Sequence, residues 1–177
     1  MEIGLSKELS FNRQKGEIVL FGMRHVFVDE FLFNTLLSEF EKEGGLITHA
    51  KVYRACKKAG REYFKNLLSK SEVGAIMKKF GWGRAELVRQ IQPLWSDYGL
   101  GVVESILFEG KRVVVRISNN INARAHERSS IPVCSFTQGI LAGIASEAYN
   151  EEYECEETKC VAMGDSYCEF VLTPSKK

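Results

Sequence analysis

The sequence predicts an α+β fold, an antiparallel sheet with helices packed on it. Three observations carry that reading. Apolar residues recur at three- and four-residue intervals through the first half of the chain. Short β-branched runs separated by glycine-containing turns follow. One further helical stretch then precedes a last hairpin pattern, and helices grouped before strands argue against alternating βαβ units. With 177 residues, 45% hydrophobic and 27% charged, the chain can bury a core without disulfides. Neither a repeat nor a linker divides it. The expectation is one domain over 1–177, with a helical part at 1–98 and a strand–helix–hairpin part at 99–177.

The elements follow in order. Glu17–Gly22 is a β-branched and aromatic run between glycines and predicts a strand. From Val28 to Glu43, residues Phe31, Leu32, Leu36, Leu37 and Phe40 form one helical face, which Gly44 and Gly45 stop. From His49 to Leu68 the pattern resumes through Val52, Cys56, Tyr63, Phe64 and Leu67. A third helix spans Glu72–Phe80 and a fourth Arg84–Trp95, broken near Pro93. Gly101–Phe108 and Arg112–Ser118 are strands joined at Glu109-Gly110-Lys111, the second with one buried face and one at least partly wet. Asn119–Ser129 is a loop or short helix. Ser130 and Pro132 look like a cap and first turn, starting a helix that runs to Tyr149. Glu152–Met163 and Tyr167–Thr173 make a hairpin about Gly164-Asp165.

Bulk features exclude several functions. No apolar run approaches the ~20 residues of a membrane span, and no secretory signal pattern opens the sequence. The expectation is a cytoplasmic protein with reduced thiols. A net charge of +1 gives no footprint for nucleic acid. The cations at Lys51, Arg54, Lys57, Lys58, Arg61 and Lys65 read as a solvated helix face. Neither G-x-G-x-x-G after a strand, nor H-E-x-x-H, nor C-x-x-C occurs. The three histidines, His25, His49 and His126, stand apart in sequence and read as ordinary surface or hydrogen-bonded residues. Nothing points directly to catalysis.

Cysteine is the unusual feature of the composition: five, an odd number. Four fall near the end, at Cys134, Cys155, Cys160 and Cys168. Cys134 sits where a helix begins, and helix starts favour a thiolate. Cys160 and Cys168 lie four residues either side of Gly164, opposite each other on the hairpin. Glu157 precedes Cys160 by three. Three thiolates and a carboxylate suit a closed, tetrahedral, structural zinc site. Buried free thiols, a redox pair or a cross-strand disulfide would also fit this spacing. Cys155 could replace Glu157 as fourth ligand.

Thr137-Gln138-Gly139-Ile140-Leu141-Ala142-Gly143, followed by Glu157-Thr158-Lys159-Cys160-Val161-Ala162-Met163-Gly164-Asp165-Ser166-Tyr167-Cys168-Glu169-Phe170, resembles the 4-vinyl reductase domain family. Its pattern is a G-x-x-x-G helix and then E-x-x-C-x-A-x-G-D-x-x-C-x-F, and every fixed position of the second motif is present. Sensor members of the family include the N-terminal domains of phenol- and toluene-responsive activators. The resemblance implies zinc bound by Cys134, Glu157, Cys160 and Cys168. It also implies a fold shared with nitric-oxide-sensing haem domains and Golgi-tethering subunits, a hydrophobic pocket between sheet and helices, and a homodimer.

Three function classes follow from this. A sensor of a small hydrophobic or aromatic ligand predicts an apolar cavity lined by aromatics such as Trp95, Tyr98, Phe108 and Phe136. An interaction scaffold predicts a filled core and an exposed apolar patch. A reductase acting on tetrapyrrole vinyl groups predicts a cleft with convergent polar groups. The sensor is the preferred reading.

Overall fold

The computed structural model describes residues 8–81, 83–126 and 128–176. Three short strands come first: β1 (Ser10–Asn12), β2 (Glu17–Leu20) and β3 (Met23–His25), an antiparallel meander in that order. The strand expected over Glu17–Gly22 ends early because Phe21 and Gly22 turn the chain at φ 51° and 69°. Strands of three residues, such as β1 and β3, are too short to display an alternation.

A long helix, α1 (Glu30–Lys70), replaces the two expected. Asp29 caps it, its side chain accepting from Leu32 N. The Gly44-Gly45 signal acts as a kink rather than a loop. Gly45 has φ 49° and ψ −134°, and the Thr48 hydroxyl bridges the break by donating to the Phe40 carbonyl at 2.9 Å. Next come α2 (Glu72–Phe80), capped by Ser71 and closed by left-handed Gly81, and α3 (Arg84–Asp97). The latter runs through Pro93 instead of breaking. A proline there removes one helical bond close to the helix end, and the burial of Leu94 and Trp95 just beyond it offsets that loss.

The main sheet is antiparallel throughout, in the order β4-β5-β7-β6, with β4 Val102–Glu109, β5 Arg112–Ser118, β6 Tyr153–Lys159 and β7 Cys168–Pro174. Central β5 has one buried face, and a second that is partly wet through exposed Arg112 and half-buried Arg116 and Ser118. Val113, Val114 and Val115 are all buried, and Val114 sits in register between Leu107 and Val171 on the second face. A short helix, α4 (Ile121–Arg124), follows β5, and α5 spans Ser135–Tyr149. The expected start at Ser130–Pro132 comes later because Ser129 holds a turn. Its hydroxyl donates to Ile131 O and accepts from Ile131 N.

The α+β architecture is fixed by one close helix crossing. A Cβ on Gly139 would stand 2.4 Å from Tyr53 O, one on Gly143 2.2 Å from Lys57 O, and one on Gly60 2.6 Å from Ile140 O. The G-x-x-x-G face of α5 therefore packs on α1. The other side of α5 covers β6 and the sheet. Two apolar clusters result. One joins the sheet to α5 around Tyr153, Phe170 and Ile117. The other joins β2, α1, α2 and α3 around Phe21, Phe64 and Leu87.

Candidate metal centre and apolar cavity

Cys134 is the N-cap of α5, Cys168 opens β7, Glu157 lies on β6, and Cys160 caps the one-turn 3-10 helix Val161–Met163. Their ligand atoms all lie within 4.8 Å of one another, and all four residues are buried. A register shift makes the three-residue E-x-x-C spacing work. Glu157 pairs with Phe170 and Lys159 with Glu169, so Thr158 is an extra residue, a bulge. Along β6, Tyr153, Cys155 and Glu157 are buried while Glu154, Glu156 and Thr158 are exposed. Strict alternation would turn Cys160 outward; the bulge turns it back in beside Glu157.

The donor set fits a tetrahedral ion. The Cys134 and Cys168 sulfurs are 3.7 Å apart. Zinc–sulfur bonds of about 2.3 Å give a tetrahedral edge of about 3.8 Å. Glu157 Oε2 accepts from Cys134 N at 2.9 Å, whereas Oε1 is buried with no partner. A buried carboxylate oxygen lacking a partner is costly, and a cation is what would satisfy it. Burial first of all pushes the Glu157 carboxyl up to about 8. Among the thiols, Cys160 is held low, chiefly by hydrogen bonds from Cys134 and then Cys168, and Cys134 is pushed up by those same contacts and by burial.

Cys155 shares the inward face of β6 but lies outside the four-residue group. It is buried in the sheet–helix cluster, and its amide donates to the Tyr53 hydroxyl at 3.1 Å. Cys56 is half-buried on α1 beside Gly139.

A cavity of about 330 Å³ lies between the two apolar clusters. Trp95, Tyr98, Phe108 and Phe136 all line it. Sequence reading missed its aliphatic walls, which come from α5 (Ile140, Leu141, Ile144) and β5 (Val113, Val115). The only sequence signal for them was ordinary hydrophobic periodicity, which marks core as readily as cavity. Three cavity residues form a polar chain, Tyr63 to Tyr98 at 2.8 Å and Tyr98 to His25 at 3.3 Å. The remaining histidines are not isolated in space: His126 Nε2 is 2.9 Å and His49 Nδ1 3.6 Å from Glu41. A more open polar cleft runs past His49, Arg54, Lys57, Ser135 and Cys155. Among the described residues, no helix is long and apolar enough to cross a membrane.

Residues 113–174 match the family model of the 4-vinyl reductase domain. The phenol-responsive sensory domain of the transcription activator PoxR has a similar structure, with TM-score 0.78 at 15% identity over 96% of this chain and 86% of that one. A vinyl-4-reductase family protein from Methanocaldococcus jannaschii gives 0.53 at 18% identity, over 86% and 85%. An H-NOX protein from S. oneidensis gives 0.50 at 16% identity, over 87% and 80%. These likenesses establish the fold. The uncharacterized protein MJ0150 of Methanocaldococcus jannaschii is 23% identical over 123 residues, which is 70% of this chain and 63% of that protein. The chain thus spans less than two thirds of the curated relatives it matches.

Proposed function

We propose that this chain, a member of the 4-vinyl reductase domain family, is a sensor domain that encloses a small hydrophobic ligand and carries a structural zinc ion held by Cys134, Glu157, Cys160 and Cys168. The cavity carries the ligand reading, since a scaffold would fill its core. The likeness to a phenol-responsive domain agrees with it. Zinc would supply no open position for chemistry once four protein donors surround it. Its role would be to tie the start of α5 to the β6–β7 hairpin. Because α5 is also a wall of the cavity, a ligand that prefers one position of α5 shifts the population toward it.

We also propose that the domain acts as a homodimer. The outer face of α1, strand β1 and the segment joining β3 to α1 expose Phe11, Phe27, Phe31, Leu32, Leu36 and Phe40. At ~200 Å² per aromatic ring, this patch and its valines come to roughly 900 Å². A monomer seldom exposes more than about 300–600 Å² in one patch, and a standard interface takes about 800 Å² per partner.

Native mass spectrometry of the full chain tests these readings together. The expected species is a dimer with one zinc per protomer, retained in Cys155→Ala and lost in Glu157→Ala. Protein with metal content near zero overturns the zinc reading, and a monomer at micromolar concentration overturns the dimer.

A further inference from the structure

Resting on the ligand-binding reading above, we propose that the cavity selects an apolar skeleton of about two fused rings and discriminates against its hydroxylated counterpart. Size is the first argument. An apolar protein cavity of about 150 Å³ holds one benzene. The present one, at about 330 Å³, is twice that. A single ring would leave wall atoms without contacts, and a gap of even half an ångström forfeits a good part of the dispersion energy.

The second argument is where the polar atoms of the wall are spent. His25 Nδ1 lies 2.9 Å from the Met23 carbonyl, which can only accept, so in the neutral ring Nδ1 carries the proton and Nε2 is the acceptor. Tyr98 must therefore donate to His25 Nε2, and Tyr63 must donate to Tyr98. Each hydroxyl proton of the chain is committed. Gln92 donates to the Val103 carbonyl at 2.9 Å. The Trp95 indole N–H has no partner and is covered by protein atoms. What remains facing the ligand is hydrocarbon. A ligand hydroxyl would leave water and find no donor to replace it, a loss that purely apolar ligands avoid.

The test is a binding series on zinc-loaded full-length protein with naphthalene, naphthol and phenol, read by thermal shift and equilibrium dialysis. Naphthalene is expected to bind ~10-fold or more tightly than naphthol, and phenol weakest of the three. Naphthol or phenol binding as tightly as naphthalene overturns the selectivity while leaving the cavity reading standing. No binding by any of the three overturns the cavity reading itself. Ala148→Phe, which fills the space from α5, is expected to abolish naphthalene binding; retained binding puts the ligand elsewhere and overturns the proposal. If that variant fails to fold, the wild-type series decides alone.

Discussion

Replacing Gly143 by alanine tests whether the α1–α5 crossing sets the architecture. The added Cβ would lie 2.2 Å from the Lys57 carbonyl oxygen and 2.6 Å from Arg61 N. Both are backbone atoms of a helix, so neither can swing aside as a flexible side chain would. Restoring an ordinary carbon–oxygen contact of about 3.4 Å requires the helices to part by roughly 1 Å. Overpacking of this kind costs about 1–3 kcal/mol, and more where backbone must move. Alanine returns about 1 kcal/mol through its helix propensity. The net expectation is a loss of about 2 kcal/mol, or roughly 4–8 °C in Tm for a chain of this size. Urea unfolding of the metal-loaded protein measures it: the midpoint should fall with the slope unchanged. A Gly143→Ala protein as stable as wild type would refute the close crossing. Gly60→Ala, whose Cβ meets the Ile140 backbone from the other side, should show the same loss.

Two further outcomes are expected. Deleting Thr158 removes the bulge, turns Cys160 away from Glu157 and should abolish stoichiometric zinc, whereas Thr158→Ala should retain it; metal analysis of both proteins checks this. His126 places Nδ1 on the Asn122 carbonyl and Nε2 on Glu41, two acceptors, so the ring carries both protons, and its hydrogen bond to Glu41 chiefly holds its pKa above the usual value. A raised folded-state pKa stabilises fully below about 6.5 and is lost as pH rises through the folded value. His126→Ala should therefore cost about 0.5–1 kcal/mol at pH 6, solvent screening included, and little at pH 9. A pH-independent cost in denaturation midpoints would refute the charged pairing.

Most of the Cys/Glu cluster was legible in the sequence because the spacing of three of its residues is local. Cys160 and Cys168 flank a glycine turn, and Glu157 stands three residues before the first of them. The choice between Glu157 and Cys155 was not legible. A regular strand puts both on one face; the bulge at Thr158 turns Cys160 in beside Glu157, the nearer of the two, while Cys155 stays in the sheet–helix core. The helix stop at Gly44-Gly45 was readable as a break, but not as a kink, since Thr48 supplies the bridging hydrogen bond from beyond it. Trp95, Tyr98, Phe108 and Phe136 were readable as large apolar groups. That they surround space rather than fill it depends on the two clusters failing to meet, which is a property of the assembled fold.

The Cys/Glu cluster and the cavity are joined through α5. The Cys134 amide ties the N-cap of that helix to Glu157 of β6, and Phe136, Ile140, Leu141 and Ile144 carry its other contacts into the cavity wall. Its third contact, the glycine crossing with α1, permits almost no approach and little slide. A helix pinned at one end and clamped along one side can respond to a ligand mainly by tilting about the pinned end. The same motion would move α1, whose outer face carries the exposed phenylalanines. Ligand occupancy and subunit association would then be linked, each favouring the other by the same factor. The consequence is measurable: saturating naphthalene should lower the dimer dissociation constant of wild-type protein. It should leave that constant unchanged in Ala148→Phe, where the cavity is filled. Equal dissociation constants with and without ligand in the wild type would mean that α5 does not carry the signal.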